Sequence, residues 1–250
     1  MIFPQTNKIE YIERKYRNLI EEKDLISFQI KEEESDLFIR TNQELSSYAR
    51  QMVLNFRKQI ENYIYNHPLF KSTLLPYSQD KMASEIIQSM IHTTALCGVG
   101  PMASVAGAIA EFVGKELLNY SSEVIVENGG DIFIKSNQLR KVSIFAGSSP
   151  FSQRIILKIE AKENYMGICT SSGMVGPSLS FGKADAVTVI SDSVLLADAA
   201  ATAVGNRVKT RKDIEQGLVY AQKIPGVKGV VIIKDDKIGL WGDINFTVVK

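Results

Sequence analysis

The sequence has little with which to build a covalent or metal scaffold. Cys97 and Cys169 are the only two cysteines, too few for a disulfide framework. His67 and His92 are the only histidines. Neither lies at ligand spacing from a cysteine pair or from the other histidine, which argues against a Cys/His zinc site. Charge of either sign is not in excess either: 29 Lys+Arg stand against 28 Asp+Glu, a net charge of +1. A duplex-binding surface needs a clustered basic surplus, so no nucleic-acid partner is expected. No apolar run reaches the ~18–20 residues of a membrane span, and no membrane partner is expected. Met1-Ile2-Phe3-Pro4-Gln5 lacks the basic and apolar regions of a signal peptide. Together with the scarce cysteines, this sets the expectation of a reduced, cytoplasmic setting.

What is present is ordinary for a globular chain: 45% hydrophobic and 23% charged over 250 residues, enough for an ample core. Ile9, Ile12, Tyr16 and Leu19 have helical spacing and predict an amphipathic helix over residues 8–20. Residues 24–31 and 36–40 alternate apolar and polar around Glu32-Glu33-Glu34-Ser35, the pattern of a hairpin with a solvated acidic turn. Helices are predicted over 43–65, ending before Asn66-His67-Pro68, and over 80–94. His67 then reads as a surface loop residue and His92 as a dipole partner at a helix end.

From residue 96 small residues take over. A loop is predicted over 97–101 and a helix over 102–119, with Pro101 suited to its first position. Strands follow at 123–127, 131–135, 141–146, 154–159, 167–170 and 186–190, then helices at 194–204 and 211–222. Strands at 227–234, 237–241 and 244–249 close the chain. No internal repeat is visible. The reading is an α+β fold with mixed sheets and packed helices. It is a single domain over 1–250, divisible into a helical and hairpin part, 1–95, and a motif-bearing part, 96–250.

Standard motifs fail. Gly98-Val99-Gly100-Pro101-Met102-Ala103 lacks the third glycine of a dinucleotide fingerprint, and Gly176 and Gly182-Lys183 are misspaced for a phosphate loop. Four constellations remain. Cys97, Gly98 and Gly100 precede a helix whose N–H groups favour an anion, although close packing through small residues explains the glycines equally. Glu127-Asn128-Gly129-Gly130-Asp131 is either a two-residue hairpin turn or a backbone nest beside a carboxylate. Cys169-Thr170-Ser171-Ser172-Gly173 crowds hydroxyls at a strand end, as either a phosphate-binding loop or a capped turn. In Ala197-Asp198-Ala199-Ala200-Ala201-Thr202-Ala203, Asp198 and Thr202 share one helix face. They suit a hard cation when phosphate supplies the remaining ligands, or else Asp198 merely offsets the helix dipole. Cys97 and Cys169 are either buried packing residues or, if the fold joins them, a sulfur-handling pair.

The order of these blocks resembles the ApbE superfamily over residues 96–208. The carriers are Gly129-Gly130-Asp131-Ile132, Thr170-Ser171-Ser172-Gly173, Ala186-Val187-Thr188-Val189-Ile190 and the block from Ala197 to Ala203. The best-known members of that superfamily are magnesium-dependent flavin transferases that cleave FAD and attach FMN to a threonine of a partner protein. Gly98-Val99-Gly100-Pro101-Met102-Ala103 and Ser178-Leu179-Ser180-Phe181-Gly182-Lys183-Ala184-Asp185-Ala186 look like a shorter branch, linked to sulfide assimilation and homocysteine formation.

The resemblance implies an ApbE-like fold with a cleft between the Gly-rich helix start and the Asp198 helix. It implies Asp198 and Thr202 as Mg2+ ligands, and Gly129, Gly130, Asp131, Ser172 and Gly173 as the matching turn and loop. The transferases' His-x-x-Asp-Pro segment is absent from residues 174–184, and no basic residue stands at the Gly-rich helix start, where Ser104 is nearest. The cation-and-phosphate half of such a site therefore survives better than the flavin half.

The expectation is a protein that binds a phosphorylated or otherwise anionic small molecule with Mg2+. Gly98, Gly100, Gly129, Gly130, Ser171, Ser172, Gly173 and Ser180 are candidate ligand-binding residues, and Asp131 and Asp185 candidate acid/base carboxylates. Alternatives are sulfide handling through Cys97 or Cys169, flavin transfer using FAD or FMN, and a subunit whose N-terminal helices dock a protein partner. Homo-oligomerisation stays open.

Overall fold

Alternating strands need two covers, and this chain provides a different one for each face of its main sheet. The computed structural model describes residues 24–173 and 182–249; the helix expected over 8–20 and Ser180 lie outside the described residues. The main sheet has eight strands in the order β1 (Ile26–Glu32), β2 (Ser35–Thr41), β3 (Val124–Asn128), β4 (Asp131–Lys135), β7 (Met166–Ser171), β8 (Ala186–Ser191), β9 (Val227–Lys234) and β10 (Lys237–Gly242). Each neighbouring pair is antiparallel. A smaller sheet is ordered β11 (Phe246–Val248), β6 (Ile155–Ile159), β5 (Arg140–Ser143).

Six helices accompany them among the described residues: α1 (Ser46–Asn66), α2 (Pro68–Ser72), α3 (Glu85–Leu96), α4 (Val105–Leu117), α5 (Val194–Gly205) and α6 (Ile214–Gln222). Leu37, Ile39, Val126, Phe133, Cys169 and Val189 on one face of the main sheet share a core with Val53, Ile87, Val113 and the alanines of α5. Ile125, Ile134, Ile168, Val231 and Ile233 on the other face pack against Ile144, Ile155 and Leu157 of the small-sheet layer. The result is helices, large sheet and small sheet, in that order. Strand β8 is buried at every position, which explains why its sequence is a near-continuous apolar run rather than an alternating one.

The chain on either side of residue 95 meets in one sheet and one core. Strand β2 pairs with β3 from Leu37↔Asn128 to Thr41↔Val124, and α1 shares the helix-side core with α4 and α5. A topological repeat exists where the sequence shows none. Hairpin β1–β2, helices and hairpin β3–β4 are followed in the same sheet by hairpin β7–β8, helices α5 and α6, and hairpin β9–β10.

Several boundaries differ from expectation for local reasons. The helix expected over 102–119 is a 3-10 turn, Pro101–Ser104, followed by α4, because Ser104 leaves helical geometry at φ −127. Residues 80–84 form a turn rather than the start of a helix, with Asp80 accepting the Met82 N–H at 3.0 Å, so α3 begins at Glu85. The short helix α2, with Pro68 at its first position, was not foreseen. The acidic turn is exposed but anchored: Arg57 of α1 bonds Glu33 at 2.7 Å and Glu34 at 2.9 Å. Among the described residues no single helix is long and apolar enough to cross a membrane.

Candidate functional site

The Gly129-Gly130 turn fixes one wall of the site. Asn128 pairs with Asp131 across it, the register of a two-residue hairpin, and Gly129 takes φ +80, a conformation that side chains disfavour. Asp131 therefore opens β4 on the same face as Phe133, toward the helices, in register with Cys169 of β7. Gly130 also permits close approach, since its carbonyl accepts the Thr170 N–H at 3.0 Å.

The opposite wall is α5, whose small residues let it sit deep. A Cβ on Gly167 would stand 2.6–2.8 Å from the backbone of Ser193 and Val194. A Cβ on Gly107 of α4 would lie 2.7 Å from the Val194 carbonyl and 2.8 Å from the Asp198 Cβ. Such approach puts the Gly107 N–H 2.9 Å from Asp198 Oδ2, to which it donates. The same peptide is held from the other side, where Asn128 Nδ2 donates to the Ala106 carbonyl at 3.1 Å. Thr202 stands one turn beyond Asp198, and both side chains are partly exposed.

The electrostatics show that the structure brings four sequence-selected residues together. Burial, and then the negative charge of Asp131, push the Asp198 carboxyl well above the usual carboxylate range, against the opposing Gly107 hydrogen bond. Burial raises the Cys97 thiol to about 12, with Asp198 adding to it. The Cys169 thiol also rises well above its ordinary value through burial, then through Asp131 and Asp198. Both cysteines are free and buried, and Cys169 Sγ donates to the Val194 carbonyl at 3.4 Å. Thiols so placed stay protonated, which suits packing better than nucleophilic attack.

The other candidates are distributed around this pair. Gly100 faces Thr73 and Leu74 with no room for a side chain, so its role is close packing of two loops. Gly98, at φ +66, donates its N–H to Ala95. Ser171, Ser172 and Gly173 leave β7 beside the last turn of α5: Gly205 faces Ser171 Oγ, and the Gly173 N–H donates to Ala184 at 3.0 Å. Asp185 is held elsewhere. Its carboxylate accepts the Asp235 N–H in the β9–β10 turn and lies 3.9 Å from Lys234 Nζ.

Sequence reasoning passed over two residues. Asn128 lay inside a named block but was read only as part of a turn. Glu111 was not singled out at all, yet from α4 it is buried against the first turn of α5. Its one signal in the sequence was an acid in the middle of an Ala/Gly-rich apolar helix segment. Among the described residues no group of three or more His, Cys, Asp or Glu side chains is placed to hold a metal ion. A hard cation would therefore need hydroxyl, backbone or ligand oxygens to complete its shell.

A family model described as AbpE bacteria matches residues 17–225. The chain belongs to this ApbE-like family. The chain is 39% identical over 198 residues to the UPF0280 protein of Methanosarcina barkeri, covering 78% of each. It is also 39% identical to that of Methanothrix thermoacetophila over 208 residues, covering 82% of this chain and 87% of the relative. Among solved structures, the flavinyl transferase ApbE of Pseudomonas stutzeri is similar with a TM-score of 0.58 at 12% identity, over 87% of this chain and 93% of that one. The flavin transferase ApbE of Vibrio cholerae gives the same TM-score and identity over 87% and 96%. At such identity the likeness shows the fold, and the fold is that of ApbE.

Proposed function

We propose that this chain binds a phosphorylated or otherwise anionic small molecule together with Mg2+, between the start of α4 and α5. The observation that carries the reading is the closeness of Asp131 and Asp198. A buried carboxylate pushed up by burial and by the charge of a second carboxylate is one that a divalent cation relieves. Asp198 and Thr202 are the assigned side-chain ligands, with Asp131 supplying charge across the cleft. A bound cation would supply Lewis-acid stabilisation of phosphoryl charge.

The chain's own residues do the positioning. The Gly107 N–H fixes one Asp198 oxygen, Asn128 fixes the peptide that carries that N–H, and the Ser171 hydroxyl stands beside Gly205 in the last turn of α5, where it can serve as a donor. Asp185, tied to its own turn, is left out, and the buried thiols are packing residues. Two free thiols suit a reduced, cytoplasmic setting.

FAD is the first phosphorylated molecule to test, because the similar solved proteins are flavin transferases. Calorimetry with Mg2+ and FAD, and with Mg2+ and ADP, on the wild type and on Asp198→Ala checks the assignment. The variant is expected to lose cation-dependent binding; unchanged affinity would sink the reading. Incubation with FAD, Mg2+ and a threonine-bearing acceptor protein, followed by peptide mass spectrometry, tests for transfer itself.

A further inference from the structure

Glu111 is 4% exposed, and its carboxylate is fully engaged. Oε2 accepts from Ser193 Oγ at 2.9 Å and from the backbone N–H groups of Val194 at 2.6 Å and Leu195 at 3.3 Å. Oε1 accepts from Tyr165 Oη at 3.3 Å and meets Lys115 Nζ at 2.7 Å. The Ser193 hydroxyl oxygen accepts the next N–H, that of Leu196, at 3.3 Å. The first N–H groups of a helix have no partner within it, and here they are satisfied by a side chain from a different helix. One carboxylate thus both caps α5 and fixes its position against α4.

The exchange is reciprocal. Helix α4 follows its N-cap residue Ser104 with no side-chain cap, and Asp198 of α5 accepts the Gly107 N–H in the first turn of α4. Glu111 lies one turn after Gly107, and Asp198 one turn after Val194, so each helix lends the other a carboxylate across the close Gly107–Val194 contact. Sliding α5 by a single residue, ~1.5 Å, would break both sets of bonds at once.

We propose that Glu111 is the positioning residue of the cation site: by holding the first turn of α5 against α4, it sets where Asp198 and Thr202 stand. This rests on the assignment of those two residues as cation ligands. Glu111 touches no ligand itself. Its acceptor oxygens matter, and its charge is balanced by Lys115. Glutamine keeps an acceptor oxygen and should substitute for it; alanine should not.

The test uses the full chain, Mn2+ alone as the probe, and two readouts: Mn2+ affinity by electron paramagnetic resonance, and hydrogen exchange at the Gly107 amide. Glu111→Ala is expected to weaken Mn2+ binding by roughly 10-fold or more, the scale of losing an outer support of a metal ligand, and to speed Gly107 exchange by a similar factor. Glu111→Gln should keep both within about threefold, and Ser193→Ala, which removes one Glu111 contact together with the cap on the Leu196 N–H, should move both in the direction of alanine. Ile144→Ala, in the layer between the two sheets, is the control: it lowers the melting temperature and should move neither readout.

Wild-type values in Glu111→Ala would overturn the proposal. So would an equal loss in the Ile144 control, or a folded Glu111→Gln protein that loses Mn2+ as alanine does. If Glu111→Ala does not fold, the Gln and Ser193 variants decide by the same criteria. A wild-type chain that takes up no Mn2+, while Gly107 exchange still depends on Glu111, overturns the cation reading and the proposal with it. That outcome is distinct from a failure at Glu111 alone.

Discussion

Asn128 and Asp198 hold the two ends of one peptide group. Asn128 Nδ2 donates to the Ala106 carbonyl at 3.1 Å, and the Gly107 N–H that follows donates to Asp198 Oδ2 at 2.9 Å. A residue at the end of a strand and one in the second turn of a helix thereby fix the first turn of α4 from both sides. The candidate site is built on that clasp.

Asp198 should make the apo-protein less stable as pH rises. Its carboxyl holds a proton in the folded state to a pH above the ordinary 3.8, so the folded state binds more protons than the unfolded chain between that value and the raised one. Stability then falls as pH climbs through this window and levels off above it. Asp198→Asn keeps an acceptor for the Gly107 N–H and removes the charge. It should give a flatter melting-temperature profile and, without cation, a more stable protein at neutral pH. Parallel profiles for the two proteins would show that Asp198 has no such shift.

Gly107→Ala should be disruptive far beyond its size. The added methyl would stand 2.7 Å from the Val194 carbonyl and 2.8 Å from the Asp198 Cβ, in contact with backbone that cannot rotate away. Overpacking of this kind costs roughly 1–3 kcal/mol. Urea unfolding should show a loss of that order, with weaker cation-dependent binding. An alanine variant as stable as the wild type would mean that α4 and α5 can separate freely.

Neither thiol should react in the folded state. Burial raises Cys97 to about 12 and Cys169 well above its ordinary value, so almost no thiolate exists near neutral pH. Iodoacetamide should label neither cysteine in the native protein and both in denaturant, as read by intact mass. Fast native labelling of either one would revive a sulfur-handling role.

Arg140→Ala should destabilise the far end of the sheet. Arg140 bonds Asp24 at 2.7 Å and the buried Glu123 at 2.8 Å, and its Nε donates to Ser136 Oγ at 2.8 Å. Removing the arginine strands Glu123, a change that typically costs about 3–5 kcal/mol. Burial alone would raise the Glu123 carboxyl, but Ser136 and Arg140 outweigh it and hold it below the ordinary 4.5. Its stabilising contribution is present above that value and lost as pH falls through the lowered one, so the gap between variant and wild type should narrow in acid. A gap that stays constant with pH would assign the loss to packing.

Much of the framework was legible one element at a time. Strand β4 and strand β9 fall where alternation and apolar runs placed them, and the start of α5 at Val194 follows from its apolar run behind Ser193. The Gly129-Gly130 turn and the Asp198–Thr202 spacing could be read because hairpins and helix faces depend on neighbours within a few residues. Glu111 could not, because the N–H groups it caps belong to residues some eighty positions away. Asp185 misled for the same reason: its partners in the β9–β10 turn are invisible to local spacing.

The sequence by itself determined that this chain lacks a disulfide framework, where most of the described strands and long helices fall, and which small-residue blocks permit close approach. These depend on composition and on periodicities of two and 3.6 residues, which are local. Only the tertiary structure decided that Asp131, Asp198 and the two thiols share one neighbourhood, that the Asp198 carboxyl is pushed above its usual range there, and that α4 and α5 exchange carboxylates. Those outcomes depend on burial and on charge separations between distant segments, and folding alone sets both.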